Sequence, residues 1–241
     1  MHKMHYITEG PKGRGRNIKD YKDPTLLTQW VKFFLWVHVL MAVVAIASNL
    51  MEYQLLSDFQ NGSYANEEEA TADAEASDQR QLAIGVAYVL VFIIGGFLIL
   101  KWIYRANYNV RQLGAEGMKF SSGWSVGWYF VPIVNLWKPF HAMQEIWKTS
   151  HSPKDWINSD IDKILPCWWI LWIISNFLGR TAVKMGMRAE SIDELMNANL
   201  VSQASEIAWI PLCLIFMSLV NKVYVAQITC CEELANERGL D

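Results

Sequence analysis

Leu82 to Leu100 is a run of nineteen residues without a charged side chain. At 1.5 Å per residue a helix over that run is about 28 Å long, close to the hydrocarbon thickness of a bilayer. The run therefore predicts a membrane span. Phe33 to Ala47, Ile164 to Gly179 and Ile207 to Val220 are shorter, but each is flanked by Trp, Tyr, Lys or Arg, residues that sit at headgroup level or snorkel towards it. They predict three more spans. A chain of 241 residues has room for one or two soluble domains, but 52% hydrophobic residues and twelve tryptophans gathered into blocks exclude that reading.

The formal net charge of -3 says little about partners, whereas the placement of the charges says more. Lys3, Lys12, Arg14, Arg16, Lys19, Lys22 and Lys32 gather at or before the start of the first span, and Glu67, Glu68, Glu69, Asp73, Glu75 and Asp78 follow it. The positive-inside rule then puts the N-terminus in the cytoplasm and the acidic stretch on the opposite side. That stretch reads as solvated and partly helical, without the ordered oxygen spacing and turn glycine of a calcium loop. No cleavable signal is expected, because the first 28 residues are polar. Cys167 and Cys213 fall in predicted spans and Cys230-Cys231 follows the last, so a disulfide framework is not expected.

Between spans two and three lies GWSVGWYFVPIVNLWKPF, Gly123 to Phe140, which is uncharged up to Lys138. Pro132 removes a backbone donor and clashes with the preceding turn, so a straight spanning helix is disfavoured. The block reads as a re-entrant or interfacial segment, tolerated where protein or water satisfies its broken backbone. If it does not cross, 17 Lys and Arg lie inside and 4 outside; if it crosses, the partition is 14 to 7. The first obeys the positive-inside rule better, so four spans and two cytoplasmic termini are expected. After the block, Phe140, Met143, Ile146 and Trp147 share one face of an amphipathic helix ended by Ser152-Pro153.

The expected organisation is a flexible basic arm over 1–24, a membrane domain over 25–228 and a tail over 229–241. Within the domain, spans are expected near 29–51, 82–104, 164–180 and 204–224. The acidic non-cytoplasmic loop covers 58–80 and the re-entrant or interfacial block 121–150.

Arg105-Ala106 and Asn109 follow span two, and Leu113-Gly114 precedes Gly123-Trp124 and the run Gly127 to Pro139. Met143 to Trp147, Pro166 to Trp172 and Ser175-Asn176 complete the pattern. Together these residues resemble a bacterial family of multi-span membrane proteins known as domain of unknown function 4328. The resemblance runs from about span one to span four and leaves out the basic arm and the acidic loop. It implies an integral membrane domain, and it supplies no activity, substrate or catalytic residue.

His141 and Glu145, at i and i+4, are weak candidates for a metal site with His151 or His38, and a polar anchor is the more economical reading. His38, Asn49, Asn176, Arg180, Glu206 and Lys222 are polar residues in or beside spans, where helix-to-helix hydrogen bonding is the plain explanation. Most tryptophans fit an aromatic belt. Trp124 and Trp128 stand out, four apart and next to glycines.

The sequence thus predicts an all-α integral membrane protein of a bacterial inner membrane with no catalytic constellation and no cofactor. The expected role is that of an accessory or regulatory protein binding a protein partner or lipid through 105–147. Candidate binding residues are Arg105, Asn109, Trp124, Trp128, Pro132, Asn135, Trp137 and Asn176. Expected partners are membrane lipids and a protein or second copy, not nucleic acid. A small channel or transporter with 123–140 lining its pathway is the alternative, and an enzyme using His141 and Glu145 comes third.

Overall fold

A computed structural model describes residues 20–237, and all its regular structure among them is helical. Residues 1–19 of the basic arm and the last four of the tail lie outside the described residues. The elements in chain order are α1 (Thr25–Gln60), α2 (Glu67–Gln112), α3 (Ser122–Gly127), two 3-10 turns (Trp128–Phe130 and Val134–Leu136), α4 (Lys138–His151), α5 (Ile164–Gly186) and α6 (Ile192–Glu237).

Local chemistry sets the boundaries. Asp23 accepts from the Thr25 backbone N–H at 2.8 Å and from its hydroxyl at 2.5 Å, opening α1 directly after Pro24. Asn61 and Gly62, the latter at φ +64°, turn the chain after α1. The Asn66 side chain then accepts from the Glu69 N–H, and Glu67, Glu68 and Glu69 fill the first turn, where carboxylates oppose the positive end of the helix dipole. The acidic stretch expected as a loop over 58–80 is consequently helical from Glu67 onward and continuous with span two. At the other end of the chain α6 passes through Pro211 without ending and continues to Glu237.

α1 and α2 run antiparallel: Trp102 Nε1 donates to Thr28 Oγ1 (3.2 Å) at one end, and Arg80 Nε donates to Ser48 Oγ (3.1 Å) at the other. α6 packs antiparallel to both α1 and α5, marked by Asn49 with Ser202 and by Lys222 with Asp162. The core gathers at one end of this bundle, where Trp102, Ile146, Trp168, Leu219, Val220 and Val223 are buried and Trp168 stacks on Phe216 with centroids 5.3 Å apart.

Three helices, α1, α2 and α6, are long and apolar enough to cross a membrane. The apolar window of α2 is only 6% buried, and Leu82, Val86, Val89, Leu90, Phe92, Ile93 and Phe97 point outward. So large an unpartnered apolar face is suited to lipid and not to water. α5 has 23 residues, but Trp168, Trp169, Trp172, Asn176 and Arg180 lower its mean hydropathy, and it is not among the three.

Candidate functional site

The Gly/Trp/Pro block stands on a polar brace assembled from α2 and α4. Gly114 (φ +108°) and Gly117 (φ +70°) let the chain leave α2 through conformations that side chains resist. The loop they make returns under α4, where the Glu145 carboxylate accepts from the backbone N–H groups of Lys119 (2.6 Å) and Phe120 (3.1 Å). The Phe120 carbonyl accepts from Arg111 at 2.5 Å and from Asn107 Nδ2 at 3.3 Å. Asn107 Oδ1 accepts in turn from Arg111 Nε (3.2 Å) and Ser122 Oγ (2.9 Å). Asn107 is fully buried and Glu145 nearly so, so these bonds replace hydration that both groups have lost. Burial pushes the Glu145 carboxyl above its usual range, against the opposing pull of the two amides and of Arg111. Gln227 of α6 ties the brace to the bundle by donating to the Ala106 carbonyl (3.1 Å) and Ser150 Oγ (3.0 Å).

Above the brace the block is short-pitched and outward-facing. Ser121 caps α3 by accepting from the Trp124 N–H. The rings of Trp124 and Trp128 lie 4.5 Å apart at 30°, and a β-carbon at Gly127 would meet Trp124 Cε3 at 3.1 Å. Beyond Pro132, Val134 N–H donates to the Pro132 carbonyl (2.7 Å), closing a three-residue turn on Ile133 at φ 66°, ψ -52°. A γ-turn of this sense is rare and strained, the more so for a β-branched residue. Ile133 is 72% exposed and Phe130 70%, with Trp124, Leu136 and Trp137 also outward. Lys138 lies over the rings of Phe120 and Trp128, 5.6 and 5.7 Å from their centroids.

The candidate residues do not form one cluster. Asn109, buried, holds the backbone of Lys22 from both sides, accepting from its N–H (3.2 Å) and donating to its carbonyl (2.8 Å). Arg105 donates to the Asp23 carbonyl (3.0 Å), so both residues dock the lead-in to α1. Trp124, Trp128, Pro132, Asn135 and Trp137 belong to the block. Asn176 sits in α5 and donates to the Trp172 carbonyl of its own helix (2.8 Å). His141 is exposed while Glu145 is buried against backbone amides, so the two do not converge. Among the described residues no three His, Cys, Asp or Glu side chains stand close enough to hold a metal ion.

The family described as domain of unknown function (DUF4328) matches residues 65–224, two thirds of the chain. The chain belongs to DUF4328. The match spans the whole brace, the block, α4 and α5, and it leaves out α1. No curated protein and no solved structure matches the chain. DUF4328 membership and the apolar helices together give an all-helical protein with membrane-type helices.

A second polar region, at the opposite end of the bundle, was only half visible in the sequence. Glu52 accepts from Gln81 (2.7 Å) and Asn199 (3.0 Å), and Asn199 also donates to the Asn49 carbonyl (3.0 Å). Tyr88 donates to Glu206 at 3.0 Å. Asn49, Glu52, Asn199 and Glu206 border a cavity of about 340 Å³ between α1, α5 and α6. Asn49 and Glu206 were legible as polar residues beside apolar runs; Glu52 and Asn199 lie just outside those runs and carried no such signal.

Proposed function

We propose that this DUF4328 protein is a four-span protein of a bacterial inner membrane, with both termini cytoplasmic. In this reading α5 is the fourth span and the block is an interfacial or re-entrant segment at the cytoplasmic surface. Its role is accessory or regulatory and not enzymatic, exercised by binding lipid through 105–147. One observation carries the reading: Trp124, Phe130, Ile133, Leu136 and Trp137 are held outward on a brace that buries Glu145 and Asn107. Aromatic and aliphatic groups of this kind partition to the headgroup boundary, where Lys138 and Lys119 offer charge to lipid phosphates. The apolar outward face also speaks for lipid contact over a polar pathway through the broken segment.

A cysteine placed at Ile133 in a chain lacking the other four, labelled with an environment-sensitive dye, tests the reading in nanodiscs. Blue-shifted emission quenched by brominated lipid is expected, and water-like emission without quenching rejects lipid contact. Native mass spectrometry from the protein's own membrane is expected to show retained lipid; a reproducible heteromeric mass without lipid would favour a protein partner instead. A fluorescent reporter fused after Asp241 is expected to glow in the cytoplasm, and a dark fusion rejects the four-span topology.

The alternative is a small channel or transporter with 123–140 lining its pathway. Its test is ion flux in liposomes that disappears in Asn135→Leu or Asn176→Leu.

A further inference from the structure

The block presents apolar tips with a cation at their base. Phe130, Ile133, Leu136 and Trp137 point outward, and Lys138 follows them directly, half-buried at the start of α4. Aromatic faces attract an ammonium such as that of Lys138 over Phe120 and Trp128, but they supply no net negative charge. No carboxylate lies within ion-pair distance of Lys138 among the described residues. From Gly117 to Lys154 the chain holds four lysines, Lys119, Lys138, Lys148 and Lys154, and a single carboxylate, Glu145. Glu145 is buried on the Lys119 and Phe120 amides, where Arg111 and Lys119 act on it. The outward surface of the segment therefore carries positive charge without a carboxylate to answer it.

Phospholipids share a phosphate and differ in what the headgroup carries beyond it. A zwitterionic headgroup brings its own cation, and an aromatic face is the usual place for a quaternary ammonium. Here the Trp128 ring already carries Trp124, with centroids 4.5 Å apart, and the Lys138 ammonium. An incoming ammonium would meet a like charge there and no carboxylate, and such a repulsive element discriminates as well as an attractive one. An anionic headgroup brings no cation and meets only the attraction.

We propose that the block selects anionic phospholipids over zwitterionic ones, with the headgroup phosphate on Lys138 and the acyl region against Phe130, Ile133, Leu136 and Trp137. Lys119, exposed on the loop that leads into the block, adds to the attraction. This selection rests on the lipid-binding reading above and adds to it the charge of the lipid. The long stem of Lys138 suits the task, because it spans from the apolar tips to the level of the phosphates.

The test places the full chain, dye-labelled through Ile133→Cys in the absence of the four natural cysteines, in nanodiscs of equal parts phosphatidylcholine and phosphatidylglycerol. Bromine is carried on the acyl chains of one lipid or of the other. Brominated phosphatidylglycerol is expected to quench more, by an amount matching about three- to fivefold enrichment at position 133, roughly the attraction of one lysine at a membrane surface. The preference is expected to shrink in about 0.5 M salt. Lys138→Gln is expected to make the two lipids quench equally, and Lys138→Arg to keep the preference. Lys154→Gln, which removes an exposed charge beyond the far end of α4, is expected to leave it unchanged. Equal quenching by both lipids with Lys138 in place would overturn the selection and leave lipid contact standing, whereas no quenching by either rejects the lipid-binding reading itself. A preference that survives Lys138→Gln, or that Lys154→Gln reduces as much, would also overturn the proposal by showing a diffuse field in place of a site. Should the Lys138→Gln variant fail to fold, the comparison of the two lipids at low and high salt on the chain that keeps Lys138 still decides.

Discussion

His38 of α1 fills the hollow that Gly95 of α2 leaves open: a β-carbon at Gly95 would lie 2.7 Å from His38 Nε2. The imidazole has little freedom to retreat, being buried between the rings of Tyr88 and Trp209, with centroids 6.4 and 6.0 Å away. Gly96, one residue on, has nothing within 4 Å of such a carbon.

Gly95→Ala is therefore expected to destabilise the helix pair by about 1–3 kcal/mol, the usual cost of overpacking. Gly96→Ala is expected to stay within about 0.5 kcal/mol of the natural chain. Thermal unfolding in detergent compares the two, and equal effects would show that the His38 contact does not limit the approach of α1 to α2.

Asn109→Leu removes both hydrogen bonds to Lys22 while keeping the branched four-atom outline of the side chain. The expected cost is about 1–3 kcal/mol, confined to the docking of residues 20–24. Faster hydrogen exchange and tryptic cleavage at Lys22, with the helices unaffected, would bear this out; unchanged protection would show that Arg105 alone suffices.

Glu145 makes a prediction about pH. Its carboxyl is held above the ordinary 4.5 in the folded protein, chiefly by burial. A raised pKa means that the group's contribution to stability is full below 4.5 and is lost as the pH rises through the folded value. The difference in melting temperature between the natural chain and Glu145→Gln is accordingly expected to shrink with rising pH over that window. A difference independent of pH would mean that the carboxyl does not titrate against folding.

Ile133→Gly separates backbone strain from surface chemistry. Glycine accepts φ 66° without penalty, so the variant is expected to gain about 1 kcal/mol or more in stability. The same change deletes the most outward apolar side chain of the block, so lipid retention is expected to fall. A variant that loses both would place Ile133 in the packing of the block.

Much of the helical outline was legible because it rests on local chemistry. Pro24 announces α1, Lys138-Pro139 and Ser152-Pro153 bracket α4, and apolar runs mark the middles of α1, α2 and α6. The ends of the long helices were less so. Hydropathy stops at the edge of the lipid, whereas helix propagation depends on caps and propensity, and Asn66 with an Ala- and Glu-rich stretch carries α2 well past Leu82. Glu145 stood out for its spacing from His141, but its partners are the amides of Lys119 and Phe120, and backbone groups leave no mark in a sequence. The cavity was hidden for a related reason: its walls come from α1, α5 and α6, joined only by the fold.

α2 holds 46 residues in one unbroken helix, which at 1.5 Å each is about 69 Å, more than twice the thickness of the hydrocarbon layer. One end carries the acidic turns capped by Asn66, and the other carries Asn107 and Arg111, which seat the block. A rod of that length holds the acidic turns and the seat of the tryptophans farther apart than the hydrocarbon layer is thick, joined by one continuous run of backbone hydrogen bonds.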